Sequence, residues 1–188
     1  MTCFPVLTPA EAPAEAGPVF ERVRAAYGMV PNLLGVMAAA PPLMDGYLTL
    51  ASLFRQSSLD ATEQQIVLMT ANYEHDCRYC MAGHSVGATR QGVPAEIISS
   101  LRDGRTLPNP KLETLRQFTI SVLRQRGQVS PEVTSSFLAA GYTPRNILEV
   151  ILGLSAKVMS NYTNHFSDTP LDPYMREFAW HGPDSGGQ

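Results

Sequence analysis

Apolar residues recur at the spacing of an α-helix along most of this chain, and this periodicity constrains its fold more than any other feature. In one early segment, for example, Val19, Phe20 and Val23 fall on the same helical face. No segment alternates apolar and polar residues between hairpin turns, as the strands of a sheet would. The sequence therefore predicts an all-α fold. We place the helices at 18–27, 33–40, 43–54, 60–69, 77–90, 94–101, 112–122, 131–141 and 143–162.

Prolines, glycines and capping residues divide this pattern into separate helices. Asp60 followed by Glu63 is the arrangement of a capping box, and Asp76 is a suitable N-cap for the next helix. The first residues of the chain contain three prolines and alternate alanine with glutamate, which favours an extended segment over packed structure. The expected parts of the chain are an extended N-terminal arm over 1–17, a single all-α domain over 18–180 and a flexible tail over 181–188.

Charge and composition exclude two classes of partner. The chain has 14 basic and 17 acidic residues and a net charge of −3, so it offers no basic surface for nucleic acid. Its apolar runs are interrupted well short of the roughly 20 residues that span a bilayer, so we expect no membrane partner. The N-terminus lacks the basic opening and apolar core of a signal peptide, which favours a cytoplasmic protein. Charged residues make up only 16% of the chain, which favours a homo-oligomer.

The chemically informative segment holds two of the three cysteines. Cys77 and Cys80 are spaced i, i+3, and His84 follows Cys80 at i+4, so a helix places all three side chains on one face. If Asp76 caps this helix, Cys77 occupies its first turn and Cys80 lies near the end of that turn. There the free N–H groups and the helix dipole favour a thiolate. His84 can take up or relay the thiol proton, and Glu74 is a candidate to orient the histidine.

Two other interpretations of these cysteines stay open. Buried cysteines and a helical histidine can simply pack as core residues. The other interpretation is a zinc site, whose ligands would be Cys77, Cys80, His84, His75 and the remote His165. However, the chain has no second C-x-x-C segment and no H-x-x-x-H segment, so we expect no metal. A thioredoxin-like site is disfavoured because no strand leads into the predicted helix.

The sequence also carries a weak internal repeat at an offset of 84 residues. The apolar run at 65–68 aligns with the run at 149–152, and the two cysteines align with Asn161 and Asn164. A duplicated helical hairpin would produce this pattern, but short apolar helices also resemble each other by chance. The repeat makes a hairpin duplication a candidate feature of the fold.

The same segment resembles a known superfamily. Over 59–101 the chain has a buried helix and then the C-x-Y-C-x-x-x-H motif from Cys77 to His84. A Gly-Val-Pro sequence at 92–94 follows and opens an amphipathic helix. This combination resembles the carboxymuconolactone decarboxylase and alkylhydroperoxidase D (AhpD)-like superfamily. A weaker likeness over about 30–175 is to its peroxidase-related subgroup.

The resemblance implies an all-α helical bundle that assembles as a homo-oligomer: a dimer, a trimer or a hexamer. It also implies an antioxidant oxidoreductase, a peroxidase that reduces small hydroperoxides without a bound cofactor. In the implied cycle Cys80 attacks the peroxide and becomes a sulfenic acid, which Cys77 resolves to a disulfide. His84 matches the family's proton-relay histidine. An external dithiol, the electron donor, then reduces the disulfide.

The chain departs from this family pattern at two positions. The family's relay glutamate lies twelve residues before the first cysteine, and that position here is Gln65, which cannot accept a proton. Glu74 is the nearest acidic residue in sequence and becomes the candidate relay carboxylate. Between the cysteines AhpD itself has a histidine, where this chain has Tyr79. Carboxymuconolactone decarboxylases lack the cysteine pair, so lactone decarboxylation is the less expected activity.

The remaining candidate residues surround the dithiol. Asn161, Asn164 and His165 are candidates to line the substrate pocket opposite it, with Tyr79 as a further contact, although an asparagine near a helix end serves equally often as a cap. Cys3 lies in the arm and has no expected partner. Two further functions stay open beside the peroxidase: a non-catalytic redox-sensing oligomer, and a lactone-processing enzyme of the same fold.

Overall fold

The chain folds into packed α-helices. The computed structural model describes residues 4–183, and that part of the chain contains no strand. The helices are α1 (Gly17–Tyr27), α2 (Asn32–Met37), α3 (Pro41–Arg55), α4 (Ala61–Glu74), α5 (Arg78–Arg90), α6 (Ala95–Arg102), α7 (Pro110–Arg124), α8 (Pro131–Ala139) and α9 (Pro144–Ser167), with short 3-10 helices at Ala14–Ala16 and Pro173–Phe178. The all-α prediction is confirmed. No helix within 4–183 has the length and apolar character needed to cross a bilayer.

α4 lies at the centre of the bundle. It packs against α5, α6, α7 and α9. Ile66, Val67 and Met69 are fully buried on different sides of it. A helix that is apolar all round must be surrounded by other elements. The polar side chains that α4 buries, including Gln65 and Asn72, therefore face neighbouring helices.

Two apolar clusters form the core on either side of this central helix. The first joins α4 to α6, α7 and α8 and includes the stacked rings of Phe118 and Phe137, whose centroids lie 4.0 Å apart. The second joins α1, α2, α3 and α5, and it contains Cys77 and Cys80. Both cysteines are thus embedded in the apolar interior.

The start of α5 differs from the prediction, because Asp76 ends α4 instead of capping α5. Asp76 has a left-handed φ of 47°. The N–H of Cys77 donates to the Asn72 carbonyl at 2.9 Å, and the N–H of Asp76 donates to the Tyr73 carbonyl at 3.0 Å. This is the Schellman arrangement of a helix C-terminus. Cys77 then serves as the N-cap, and α5 begins at Arg78.

Other helix boundaries follow the caps in the sequence. Asp60 and Glu63 form the predicted capping box, with N–H to carboxylate distances of 2.8 and 3.1 Å. Thr143 caps α9 in the same way. This helix continues to Ser167, five residues beyond the predicted end at 162, and Asp168 ends it in a left-handed conformation.

α9 runs unbroken through the region where a duplicated hairpin would turn. The proposed alignment of Cys77 and Cys80 with Asn161 and Asn164 would place the turn between α4 and α5 at 159–161, but this stretch is continuous helix. Residues 144–167 therefore do not form the duplicated hairpin that this alignment requires. Both asparagines instead lie inside α9 and are buried.

The described ends of the chain pack on the domain. In the predicted extended arm, the N–H of Leu7 donates to the Gly35 carbonyl of α2 at 3.1 Å. Near the other end, the indole N–H of Trp180 donates to the last carbonyl of α6 at 2.9 Å. Cys3 and the last part of the predicted tail, 184–188, lie outside the described residues.

Candidate active site

Cys77 and Cys80 form a reduced dithiol at the start of α5. They lie 3.5 Å apart. Both are buried, with exposures of 1% for Cys77 and 4% for Cys80. Because Cys77 is the N-cap and Cys80 belongs to the first turn, both lie among the free N–H groups of the helix N-terminus, where negative charge is stabilised.

The side-chain amide of Asn164, on α9, contacts both sulfurs. Its Nδ2 lies 3.2 Å from Sγ of Cys80 and 3.8 Å from Sγ of Cys77. An N–H group donates, so this contact stabilises a thiolate more than a thiol. The Oδ1 atom of the same amide is buried and has no hydrogen-bond partner among residues 4–183. Asn164 thus contacts the dithiol from α9.

Lys157 lies two turns before Asn164 on α9, and the sequence analysis did not select it. Its side chain is only 1% exposed, and its Nζ lies 3.2 Å from Nε2 of His84. In the described part of the chain no carboxylate forms an ion pair with it. A buried ammonium group without an anion is costly. The charge of Lys157 lowers the pKa of Cys80, so a Cys80 thiolate is the nearby group that can balance the charge of this ammonium group.

The two thiols differ in acidity. Burial raises the pKa of Cys80, but the hydrogen bond from Cys77, the charge of Lys157 and further hydrogen bonds outweigh burial and lower this pKa to about 5. The hydrogen bond to Cys80 raises the pKa of Cys77, and burial and the neighbouring negative charge raise it further. Near pH 7 the site therefore holds a Cys80 thiolate that accepts a hydrogen bond from the Cys77 thiol.

His84 connects α5 to α4 and α9. Its Nδ1 lies 3.0 Å from Oε1 of Gln65, and its Nε2 lies 3.2 Å from Nζ of Lys157. Because an amide oxygen only accepts and an ammonium group only donates, the ring is neutral and carries its proton on Nδ1. Burial and the charge of Lys157 lower the pKa of His84 well below its ordinary value. His84 therefore acts here as an acceptor for Lys157.

Gln65, at the position of the family's relay glutamate, lies beside this histidine. Its Nε2 donates to Oε1 of Gln91 at 3.1 Å, and Gln91 is exposed at the end of α5. A chain of hydrogen bonds thus runs from Lys157 through His84 and Gln65 to the surface. An amide has no titratable proton, so this chain orients the ring of His84 and fixes its tautomer.

Glu74, the candidate relay carboxylate, is not brought to the dithiol. It is the last residue of α4, and its carboxylate accepts from Arg124 of α7 at 2.6 and 3.0 Å. Its hydrogen bonds go to this arginine and not to His84. The left-handed turn at Asp76 separates α4 from α5. Although Glu74 is close to Cys77 in sequence, its carboxylate is therefore not brought to the dithiol.

Tyr79, a candidate for substrate binding, is held by a buried carboxylate. Its hydroxyl donates to Asp172 at 2.5 Å and accepts from the N–H of Leu33 at 3.2 Å. Asp172 also accepts from the N–H of Asn32 at 3.2 Å. Burial and the hydrogen bond with Asp172 raise the pKa of Tyr79. Through these bonds Tyr79 fixes α2 and the segment after α9 against α5.

Asn161 supports the dithiol indirectly, through its hydrogen-bond partners His75 and Asn72. Its Oδ1 lies 2.9 Å from Nδ1 of His75, and its Nδ2 donates to Oδ1 of Asn72 at 3.0 Å. Asn72 in turn donates to the carbonyl of Cys80 at 3.1 Å. Asn161 thus positions the backbone of the site. His165 is exposed and does not contact this network.

An apolar cavity of about 260 Å³ borders Cys80. Lys157, His84 and Gln65 lie on its wall, as does Tyr79. The rest of the wall is largely apolar and includes Leu33, Leu34, Leu48, Phe54, Leu68 and Met175. This apolar cavity suits a small organic molecule with one polar reacting group.

A polar cleft of about 760 Å³ borders Cys77. Asn164 and His165 lie on it, and Tyr79 separates it from the apolar cavity. Three histidines line the polar cleft, but no three His, Cys, Asp or Glu side chains within 4–183 converge closely enough to hold a metal ion.

Known proteins share this architecture. Residues 41–110 match the sequence profile of the carboxymuconolactone decarboxylase family. The fold is similar to that of an uncharacterized peroxidase-related protein from Ralstonia eutropha JMP134, described as an alkylhydroperoxidase AhpD core. The TM-score is 0.78 and the identity 14%, over 92% of this chain and 93% of that one. This chain has the AhpD-like fold.

Two further solved structures have this AhpD-like fold. A peroxidase-related protein from Silicibacter sp. TM1040 has a TM-score of 0.76 and 16% identity, with 92% of both chains covered. A cysteine-to-alanine variant of the debrominase Bmp8, in complex with 2,3,4-tribromopyrrole, has a TM-score of 0.77 and 18% identity, with 94% of this chain and 95% of that chain covered. A search of curated proteins finds no match to this sequence.

The match to the carboxymuconolactone decarboxylase family profile covers only part of the site. It spans α3 to α6 and so includes both thiols and His84. α9 lies outside the match. A signal for Lys157 was nevertheless in the sequence: a lone lysine in an apolar helix, spaced i, i+4 and i+7 with Asn161 and Asn164. This spacing places the three side chains on one face of α9.

Proposed function

We propose that this protein is a thiol-dependent peroxidase that reduces organic hydroperoxides through the Cys77–Cys80 dithiol. One observation carries the proposal: Cys80 and the buried Lys157, which has no ion-pair partner in the described chain, line the same apolar cavity. A thiolate so placed is a nucleophile, and the Cys77 thiol 3.5 Å away can resolve its oxidation product. The fold shared with peroxidase-related proteins supports this reaction class.

In the first step the Cys80 thiolate attacks the terminal oxygen of the hydroperoxide. The O–O bond breaks with its electron pair on the departing alkoxide, and Cys80 becomes a sulfenic acid. The alkoxide takes a proton from Lys157, which His84 holds through Nε2. Lys157 thus loses its charge as the thiolate loses its own, so the buried site keeps no isolated charge.

In the second step Cys77 attacks the sulfur of the sulfenic acid. A disulfide forms, and the hydroxyl group leaves as water with the proton of the Cys77 thiol. The Asn164 amide, which contacts both sulfurs, holds them in position for this step. An external dithiol must then supply two electrons to restore the reduced site.

The apolar cavity favours an organic hydroperoxide over hydrogen peroxide. Its volume of about 260 Å³ exceeds what a peroxide group alone needs, and leucine, phenylalanine and methionine side chains form much of its wall. An apolar substituent buried there contributes binding free energy of about 25 cal/mol per Å². We therefore expect cumene hydroperoxide to be a better substrate than hydrogen peroxide.

Steady-state consumption of cumene hydroperoxide, with dithiothreitol as the reductant, tests this proposal. We expect continuous turnover by the wild type and none by Cys80→Ser. Wild-type turnover by a folded Cys80→Ser variant would contradict the proposal. A burst of one equivalent that then stops would indicate the redox-sensing oligomer instead, and a lactone-processing activity that survives thiol alkylation would indicate the lactone enzyme.

The second candidate function is reductive dehalogenation of a small aromatic ring. The debrominase of the same fold is found with tribromopyrrole, and the apolar cavity beside Cys80 has room for such a ring. In this reaction the ring carbon gains a proton, from Lys157, and the Cys80 thiolate takes the bromine. Cys77 then displaces bromide and forms the disulfide. Bromide release from 2,3,4-tribromopyrrole, measured by ion chromatography, distinguishes this function from the peroxidase.

We further propose that the protein is a homo-oligomer in which a second copy covers α9. This helix exposes large apolar side chains along its length: Leu148, Ile151, Tyr162 and Phe166. Exposed apolar surface of this kind marks an interface. Light scattering should give a mass at least twice the 20.5 kDa of one chain, and a monomer at micromolar concentration would contradict the proposal.

A further inference from the structure

Each sulfur of the dithiol borders a different space. Cys80 lines the apolar cavity of about 260 Å³, and Cys77 lines the polar cleft of about 760 Å³. Tyr79 borders both and divides them, held in place by Asp172. A reactant in the polar cleft therefore meets Cys77, and a reactant in the apolar cavity meets Cys80.

The polar cleft has the chemistry of a thiol-binding site. Its lining is rich in titratable side chains: His75, Asp76, Arg78, His165, Asp168 and His181. Asn164 also lines it, and the Oδ1 atom of this buried amide has no hydrogen-bond partner within 4–183. A carbonyl oxygen accepts hydrogen bonds, including one from a thiol S–H. The cleft is thus lined by a residue that has an unused hydrogen-bond acceptor and whose Nδ2 lies 3.8 Å from the Cys77 sulfur.

The two sulfurs are unequal as leaving groups once the disulfide has formed. Thiol–disulfide exchange is faster when the departing sulfur is the better-stabilised anion. An anion released on Cys80 is stabilised by the charge of Lys157. Its sulfur also lies 3.2 Å from the amide nitrogen of Asn164. An anion released on Cys77 is farther from that amide, at 3.8 Å. Attack on Cys77, with departure of Cys80, is the favoured direction.

We propose that the polar cleft is the site where an external dithiol reduces the protein, by attack on Cys77. This inference rests on the proposed dithiol cycle. A donor thiolate bonds to the Cys77 sulfur, and the disulfide breaks with its electron pair on Cys80. The second donor thiolate then attacks the donor sulfur of this mixed disulfide, and the donor leaves as its own disulfide. Of the two donor protons, one returns to Cys77 and the other recharges Lys157, which gave up its proton in the oxidative step.

Mapping of the mixed disulfide tests the direction of attack. The Cys77–Cys80 disulfide is prepared with diamide in a Cys3→Ser background, treated briefly with glutathione, quenched in acid and alkylated with N-ethylmaleimide. Peptide mass spectrometry should find glutathione on Cys77 and the maleimide on Cys80, in a ratio of about ten to one or more. Glutathione mainly on Cys80, or equally on both, would overturn the inference. Because diamide replaces the peroxide, this result is independent of whether the protein is a peroxidase.

A pair of matched substitutions tests the division of the two spaces. His165→Trp narrows the polar cleft, and Gly87→Leu narrows the apolar cavity, where a side chain at Gly87 has room because its nearest neighbour, Nε2 of Gln65, lies 3.9 Å away. His165→Trp should slow disulfide reduction by dithiothreitol about fivefold more than it slows oxidation by cumene hydroperoxide. Gly87→Leu should instead slow oxidation by cumene hydroperoxide about fivefold more than it slows disulfide reduction. If both variants slow the same half-reaction, the inference is wrong. If cumene hydroperoxide oxidises neither the wild type nor the variants, the proposed peroxidase function is wrong. The rates of disulfide reduction by dithiothreitol would still test the role of the polar cleft.

Discussion

α5 and α9 meet at the dithiol and contribute different parts of it. In the proposed reaction α5 carries the atoms that react, the sulfurs of Cys77 and Cys80, at its N-terminus. α9 carries no thiol, but in this proposal its Lys157 and Asn164 stabilise the negative charge on Cys80. The nucleophile and the groups that activate it thus come from distant segments of the chain. If the two helices have these different roles, substitution of the α5 cysteines should abolish the reaction. Substitutions on α9 should slow it, and the loss should grow with the loss of stabilisation of the Cys80 thiolate.

The largest effect is expected from the α5 cysteines. Cys80→Ser should abolish hydroperoxide consumption, because a serine hydroxyl does not ionise near neutral pH and cannot form a sulfenic acid. Cys77→Ser should still consume one equivalent in a first turnover and then stop. Rapid-mixing measurements of peroxide loss separate the two variants. Identical behaviour of the two would mean that the roles of the sulfurs are not distinct.

The next effect is expected from Lys157 on α9. Lys157→Met removes the cation that faces Cys80, so the pKa of Cys80 should return toward its ordinary value of about 9. The thiolate fraction at pH 7 would then be about 1%, so the rate of peroxide consumption at pH 7 should fall about 100-fold and recover as pH rises. A pH profile of the rate between 5 and 10 is the measurement.

The chain provides a matched control for this variant. Lys111 has a half-exposed side chain and pairs with Glu63 at 3.2 Å, away from the dithiol. Lys111→Met should leave the rate at pH 7 within about twofold of wild type, since exposed ion pairs contribute roughly 0–1 kcal/mol. Equal losses in the two lysine variants would show that Lys157 acts through stability and not through charge.

The sequence allowed more to be predicted about α5 than about α9 for a physical reason. The i, i+3, i+7 spacing of Cys77, Cys80 and His84 is local, and helix geometry converts it into a shared face. Which residue of a distant helix faces that site depends on how the helices cross, and one sequence does not show this. Lys157 was therefore missed, although Asn164 on the same helix was a candidate to line the substrate pocket.

Local geometry also limited the prediction at the end of α4. Asp76 is a suitable N-cap by residue type, but it has the left-handed conformation that ends the preceding helix. The error shifted the start of α5 by one residue and left Glu74 on the wrong side of the turn. Whether a polar residue ends one helix or begins the next depends on the backbone path, which residue type alone does not determine.

A smaller effect is expected from Asn164. Asn164→Ala removes the N–H donor that lies 3.2 Å from Sγ of Cys80. Hydrogen bonds to charged groups contribute roughly 1.5–3 kcal/mol, so the pKa of Cys80 should rise from about 5 to about 6–7. The rate of peroxide consumption should therefore fall by no more than about threefold at pH 7 and by up to about tenfold at pH 6. Asn164→Gln keeps a donor and should recover part of the loss. A loss as large as that of Lys157→Met would place the main stabilisation of the thiolate on the amide instead.

The smallest effect is expected from Glu74. Its carboxylate pairs with Arg124 on the surface of α7, so Glu74→Gln should change the rate of peroxide consumption by less than about twofold. Arg124→Gln is the matched control, because it removes the same ion pair. If Glu74→Gln alone slows the reaction strongly, the carboxylate relays protons after all, through a conformation other than this one.

The account depends most on the charge of Cys80 in the reduced protein. The rate of iodoacetamide alkylation at this residue, followed by peptide mass spectrometry between pH 4 and 10, measures that charge directly. Because the pKa of Cys80 is lowered to about 5, alkylation should stay fast as pH falls from 9 to 6 and should decline only near pH 5. A midpoint at the ordinary thiol value of about 9, unchanged in Lys157→Met, would contradict the proposed activation of Cys80.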